Sequence, residues 1–305
     1  CGRPPLKPPR FSDGLQSKLR GTCMKTVKPA AQKLPLIDHN PDDSDWVIDT
    51  DPRFYLQDTQ EIIGYWTNGK LVFYRDTPVK RANPETFVYY NSLFAKDDNR
   101  CYIAGRELKR ADPSRFEVLN ECYATDRRTV WTTGGGFEPA DADNFEVCDA
   151  GVFLMDYGND NCREFDDGIK RTVRSIIPAG YAKDGRQVYY KNLHSEVEIL
   201  PEADPASFIS MNDGNFAKDG NHVFYEKNIL PKADPATWQK LQHFYSKDDK
   251  YVYHAYWLVP EADCGSFEVV LLTSPEGWEL PYGKDKNRYY RYGEAITEIE
   301  VREKV

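Results

Sequence analysis

Apolar and polar positions alternate in short bursts along most of the chain, and the bursts recur. Tyr65, Phe94 and Tyr123 open successive blocks at intervals of 29 residues. Within each block a polar turn led by Asn68, Asp97 or Asp126 is followed by Val72-Phe73-Tyr74, Cys101-Tyr102 or Val130-Trp131. β-Branched and aromatic residues flanking a turn with side-chain acceptors predict a β-hairpin. A second device follows: Ala-Asn-Pro at 82–84, Ala-Asp-Pro at 111–113 and Ala-Asp-Ala at 140–142, trailed by Phe87, Phe116 and Phe145. Asp112 as cap, Pro113 at the first helical position, and Ala111 facing Phe116 as a hydrophobic staple predict one short helical turn.

The pattern returns after residue 180. Tyr181, Phe216 and Tyr245 lead into Asp184-Gly185, Asp219-Gly220 and Asp248-Asp249, then Val188-Tyr189-Tyr190, Val223-Phe224-Tyr225 and Val252-Tyr253. The staple recurs at Ala203-Asp204-Pro205 with Phe208, Ala233-Asp234-Pro235 with Trp238, and Ala262-Asp263-Cys264 with Phe267, and Tyr282 opens a last hairpin at Tyr289-Tyr290. No block can bury a face alone, so stacking is obligatory. The expected fold is mainly β: tandem hairpin-plus-helical-turn units, about seven of them, in a meander or solenoid-like array. Four-stranded propeller blades need about forty residues, which argues against them here. Residues 1–45 read as an irregular basic tether and 46–305 as the repeat domain, with halves 46–151 and 181–305 joined by a degenerate unit at 152–180.

Tyr-Ala-Lys-Asp at 181–184, Phe-Ala-Lys-Asp at 216–219 and Asp285-Lys286-Asn287-Arg288-Tyr289-Tyr290 resemble the bacterial DKNYY repeat family over about residues 65–295. That family has no established catalytic residues, so the resemblance implies architecture more than mechanism. DKNYY-type lipoproteins are also similar to some immunity proteins encoded beside lipase effectors of type VI secretion systems.

The start at Cys1-Gly2, followed by Arg3-Pro4-Pro5, resembles a mature bacterial lipoprotein, in which Cys1 carries the lipid and a residue other than aspartate at position 2 fits the outer membrane. This places the chain in the periplasm. The first 35 residues hold eight Lys or Arg against Asp13 alone. Since the total is −9, the rest is about sixteen negative, which disfavours nucleic acid as a partner. Excluding Cys1, six cysteines remain and allow fifteen pairings. Cys101 with Cys122 and Cys148 with Cys162 are the first candidates for periplasmic disulfides, leaving Cys23 with Cys264; reduced cysteines in the core are the alternative.

Catalytic patterns are sparse. His39, His194, His222, His243 and His254 fall in no metalloprotease arrangement, and no nucleophile elbow occurs. Gly134-Gly135-Gly136 lies in register with Ala104-Gly105-Arg106 and reads as a loop, lacking the Lys-Ser/Thr of a phosphate cradle. The acidic runs Asp42–Asp45 and Asp156–Asp167 miss calcium-loop spacing, and Asp160, Glu164, Asp166 and Asp167 read as solvated. No metal, cofactor or catalytic residue is expected. Tyr74, Tyr102, Trp131, Tyr189, Phe224, Tyr253 and Tyr289 recur at hairpin positions and read as a stacked core; an exposed aromatic stripe would instead favour sugar binding. The function expected is that of a non-catalytic periplasmic lipoprotein that binds and neutralises a protein, a type VI secretion phospholipase above all. The alternative is an envelope glycan-binding or scaffolding module.

Overall fold

The computed structural model describes residues 28–38, 64–157, 171–176, 180–192, 196–273, 279–297 and 301. These residues form seven antiparallel sheets of three to five strands and a separate two-stranded hairpin. The third sheet shows the design: Glu117–Val118, Ala124–Thr125, Val130–Thr132 and Gly135–Phe137 pair in sequence order as a meander. Each repeat sheet after the first borrows a strand from the end of the preceding block, as Val88–Tyr89 serves Phe94–Lys96 and Ile209–Ser210 serves Phe216–Lys218. The unit is therefore four-stranded, although its length argues otherwise. Its strands run only two to four residues in most sheets, so four fit within 29.

The staple segment appears as a tight turn. The Arg115, Ser207 and Thr237 amides donate to the Asp112, Asp204 and Asp234 carbonyls three residues back, and only Ala142–Asn144 forms a 3-10 helix. The expected staple packing is present, because Phe87, Phe116, Phe208, Trp238 and Phe267 are all buried.

The core is a ladder of rings between successive sheets. Phe208 lies 5.3 Å from Tyr181 in one sheet and 5.7 Å from Phe224 in the next, and Phe87 bridges Tyr65 and Tyr102 at 5.5 and 5.2 Å. Burying each ring contributes roughly 2–3 kcal/mol by apolar transfer, and tilted geometry suits the aromatic quadrupole. The recurring buried hairpin ring is Phe73, Tyr102, Trp131, Tyr189, Phe224, Tyr253 and Tyr290. Tyr74 and Tyr289, expected in this column, fall one residue out of register with it and are half-buried.

Hydrogen bonds carry the array from each sheet to the next. The Tyr65 hydroxyl donates to the Leu93 carbonyl and accepts from Gly105 N–H; Tyr123 donates to Gly180, and Tyr181 to Asn215. Asn91 reaches the Asn120 carbonyl and Asn120 the Asp149 carbonyl, a buried ladder with the 29-residue pitch of the blocks.

Two departures from expectation concern the ends of the units. Within the segment read as tether, Gln32–Lys33 pairs with Val88–Tyr89, Ile37 is buried, and Leu36 bridges Thr67. The repeat domain is thus extended by a strand ahead of residue 46. The stretch 152–180 is not a degenerate unit. Val152–Tyr157 and Arg171–Ile176 form an inserted hairpin, while Glu146–Val147 pairs directly with Ala182–Lys183. The repeat register continues across the insertion, so the two halves share one sheet.

Candidate functional site

Asp97, Asp126, Asp184, Asp219, Asp248 and Asp285 are all buried, and each serves the scaffold. Asp184 Oδ1 accepts the Arg186 and Gln187 amides at 2.7 and 2.8 Å, while Oδ2 accepts the Asp141 amide at 2.9 Å and the Tyr189 hydroxyl at 2.7 Å. Asp285 does the same with Asn287, Arg288, Asp263 and Tyr290. One oxygen closes the hairpin turn and the other clamps the preceding staple. Where the hairpin ring is a tyrosine, as at Tyr102, Tyr189 and Tyr290, its hydroxyl adds a donor to the second oxygen; Trp131 and Phe224 fill the same position without a hydroxyl. The lysine before the turn adds a link forward: Lys96, Lys183 and Lys218 donate to the Pro113, Pro205 and Pro235 carbonyls. Lys247 donates to the carbonyl of Cys264, so the residue replacing proline there keeps the backbone role.

The cysteines are also part of the core. Cys101 and Cys264 hold free thiols, so the Cys101–Cys122 pair is not formed; the pairs Cys23–Cys264 and Cys148–Cys162 each include a residue outside the described ones. Cys101 packs with Phe94 and Phe116, whereas Cys122 packs one cluster further on with Tyr123 and Val130. Burial pushes both thiols up to about 12, far from a reactive thiolate. Cys148 packs against the Tyr181 cluster. Cys1, Cys23, Cys162, His39, His194 and the runs Asp42–Asp45 and Asp160–Asp167 lie outside the described residues. Gly135 and Gly136 form an edge strand with Trp131 and Thr132, where a Cβ on Gly136 would come within 2.9 Å of the Trp131 ring. Gly136 serves close packing, whereas Gly135 serves its left-handed backbone, φ 126°, beside open space.

Asp149 stands apart chemically. It occupies the ladder position of Asn91 and Asn120, fully buried, and accepts from the Ser210 hydroxyl at 2.6 Å and the Tyr181 amide at 2.5 Å. Desolvation pushes its carboxyl up to about 6 against the opposing effect of those hydrogen bonds. An unfolded aspartate titrates near 3.9. The native state therefore binds the proton more readily, and stability rises as pH falls from about 6 to about 4. In Asp184 and Asp285 desolvation also acts upward, yet the hydrogen bonds outweigh it and hold both below the ordinary range. Their contribution is present above about pH 4 and is lost as pH falls further. Urea midpoints are expected to rise from pH 7 to pH 5 by the equivalent of about 1 kcal/mol and to collapse below pH 4. Asp149→Asn should abolish the rise and keep the collapse; a midpoint for this variant that still climbs between pH 7 and 5 would contradict the assignment.

A different feature lies on the outside of the last three sheets. Trp257 and Tyr292 are 62% and 69% exposed and Phe244 49%. They belong to one contiguous run of rings: Trp257–Tyr256 at 4.4 Å, Tyr256–Tyr225 at 6.3 Å, Tyr225–Phe244 at 6.3 Å, Phe244–His254 at 6.5 Å and His254–Tyr292 at 6.0 Å. His243 and Phe244 carry φ of 49° and 66°, a left-handed conformation that bulky side chains adopt only at a cost. The scaffold does not require these rings. Where Trp257 stands, the neighbouring units carry Asn228 and Glu294; where Tyr292 stands, they carry Glu226 and Ala255. Sequence reading missed this run because it followed what the blocks share. The signal lay in what the last blocks do not share.

Stacked meanders, ring ladders and carboxylate clamps define a tandem β-repeat protein. Models of the DKNYY family match residues 47–134, 94–246 and 181–303, and the chain belongs to that family. No curated protein and no solved structure matches it.

Proposed function

We propose that the chain is a non-catalytic protein of the periplasm whose repeat array binds and neutralises a protein partner. A type VI secretion phospholipase is the favoured partner. The observation that carries the reading is how the acidic groups are used. The buried aspartates of the turns, from Asp97 to Asp285, spend their oxygens on backbone amides and tyrosines, which supports a scaffold whose outer surface does the work. The net charge of −9 suits a cationic enzyme, since complementary fields speed encounter, and carboxylates compete for a site built to bind phosphate.

The test is direct. The purified chain is mixed with a lipase encoded beside it, and binding and lipid hydrolysis are followed together. Submicromolar binding with loss of hydrolysis is expected; absence of binding at micromolar concentrations removes the reading.

A further inference from the structure

Beyond partner neutralisation, we propose a second binding site: the aromatic run on the outer edge of the last three sheets takes an uncharged glycan chain, with sugar rings laid on Trp257, Phe244 and Tyr292. The proposal does not depend on the toxin reading and assigns a separate surface.

The rings are held ready. Trp257 stacks on Tyr256 at an interplanar angle of 35°, which fixes one face and leaves the side chain 62% exposed. Phe244 stands edge-on to both Tyr225 and His254, at 83° and 86°. Arg291 lies 5.3 Å over Tyr292. Each exposed ring is thus braced by a neighbour, and little side-chain freedom remains to be lost on binding.

The chemistry of the surface selects the occupant. Tyr and Trp pair an apolar face with a polar edge, and a pyranose does the same, with a C–H face and a rim of hydroxyls. Two charges beside the run are paired: Asp213, whose negative charge reaches Tyr225, is neutralised by Lys240, and Lys227 is neutralised by Glu198. With these charges paired, the rings themselves are the contact surface, which suits an uncharged ligand better than a phosphate or a strongly cationic protein segment. Several rings in succession fit a chain of sugars rather than a single one, and weak contacts at successive rings reinforce each other.

Three probes test this: purified peptidoglycan sacculi by co-sedimentation, and the N-acetylglucosamine hexamer and cellohexaose by titration followed by tryptophan fluorescence. Wild type is expected to be retained on sacculi or to respond to at least one hexasaccharide. Trp257→Ala combined with Tyr292→Ala should weaken that binding at least tenfold while the thermal midpoint stays within a few degrees. The site is refuted by no response of the wild type to any of the three probes, or by equal binding of the double variant. It is refuted equally if the double variant loses only its affinity for a protein partner, since the surface would then be a protein interface.

Discussion

Asp184→Ala is expected to destabilise the protein by roughly 4 kcal/mol, because it strands several buried or half-buried donors at once, each worth about 1–3 kcal/mol when left unsatisfied. The Arg186 and Gln187 amides lose the acceptor that closes their turn, the Asp141 amide loses the clamp on its staple, and Tyr189 loses the partner of its hydroxyl. The damage should also be positional. In a repeat array stability is close to a sum of unit and interface contributions, and Asp184 follows the strand that continues the register across the inserted hairpin. Urea unfolding of this variant is expected to separate into two transitions, with the sheets before and after residue 184 melting independently. Asp184→Asn should cost less, since one oxygen remains to hold the turn amides.

Tyr102→Ala is expected to cost about 4 kcal/mol, in the range found for removing a fully buried aromatic side chain. Tyr102 is completely buried, packs against Phe87 and donates to Asp97 Oδ2 at 2.8 Å. Trp257→Ala removes a larger ring yet should change stability by no more than about 0.5 kcal/mol, as for exposed positions generally. This pair separates rings that build the array from rings that are displayed on it. Chemical denaturation of the two variants side by side measures both, and a Trp257→Ala cost approaching that of Tyr102→Ala would mean the outer run is structural.

Much of the architecture is readable from residues. The pitch of Tyr65, Phe94 and Tyr123 announces stacking, and the burial of Tyr102, Trp131, Tyr189, Phe224 and Tyr253 follows from their recurrence. The fourth strand is invisible because Val88–Tyr89 or Gln239–Lys240 is only two residues long, too short to show alternation. The insertion hides for a different reason. From Val152 to the residue before Tyr181 the chain has the length of one block, so counting alone suggests another copy, whereas Glu146 is paired with Lys183 across it.

The clamp was half legible. A turn aspartate has a sufficient local task in its first oxygen, and nothing in the turn itself points to the amide fourteen or more residues upstream that the second oxygen binds. The clue lay in the pairing of devices: wherever a staple begins with Asp or Asn, as at Asn83, Asp112 and Asp234, a turn aspartate follows to receive its amide. The aromatic run needed the opposite operation, removal of everything the units share. Phe244, Trp257 and Tyr292 remain after that subtraction, and only three-dimensional placement shows that they adjoin.

The carboxylate clamp is the claim on which the account rests, and amide hydrogen exchange of the native protein tests it most directly. The Asp204, Asp234 and Asp263 amides sit in turns outside any strand, bonded to Asp219, Asp248 and Asp285. They are predicted to exchange as slowly as the strand amides of Val223 and Val252. Exchange of these three amides at the rate of an open peptide would contradict the clamp and with it the scaffold described above.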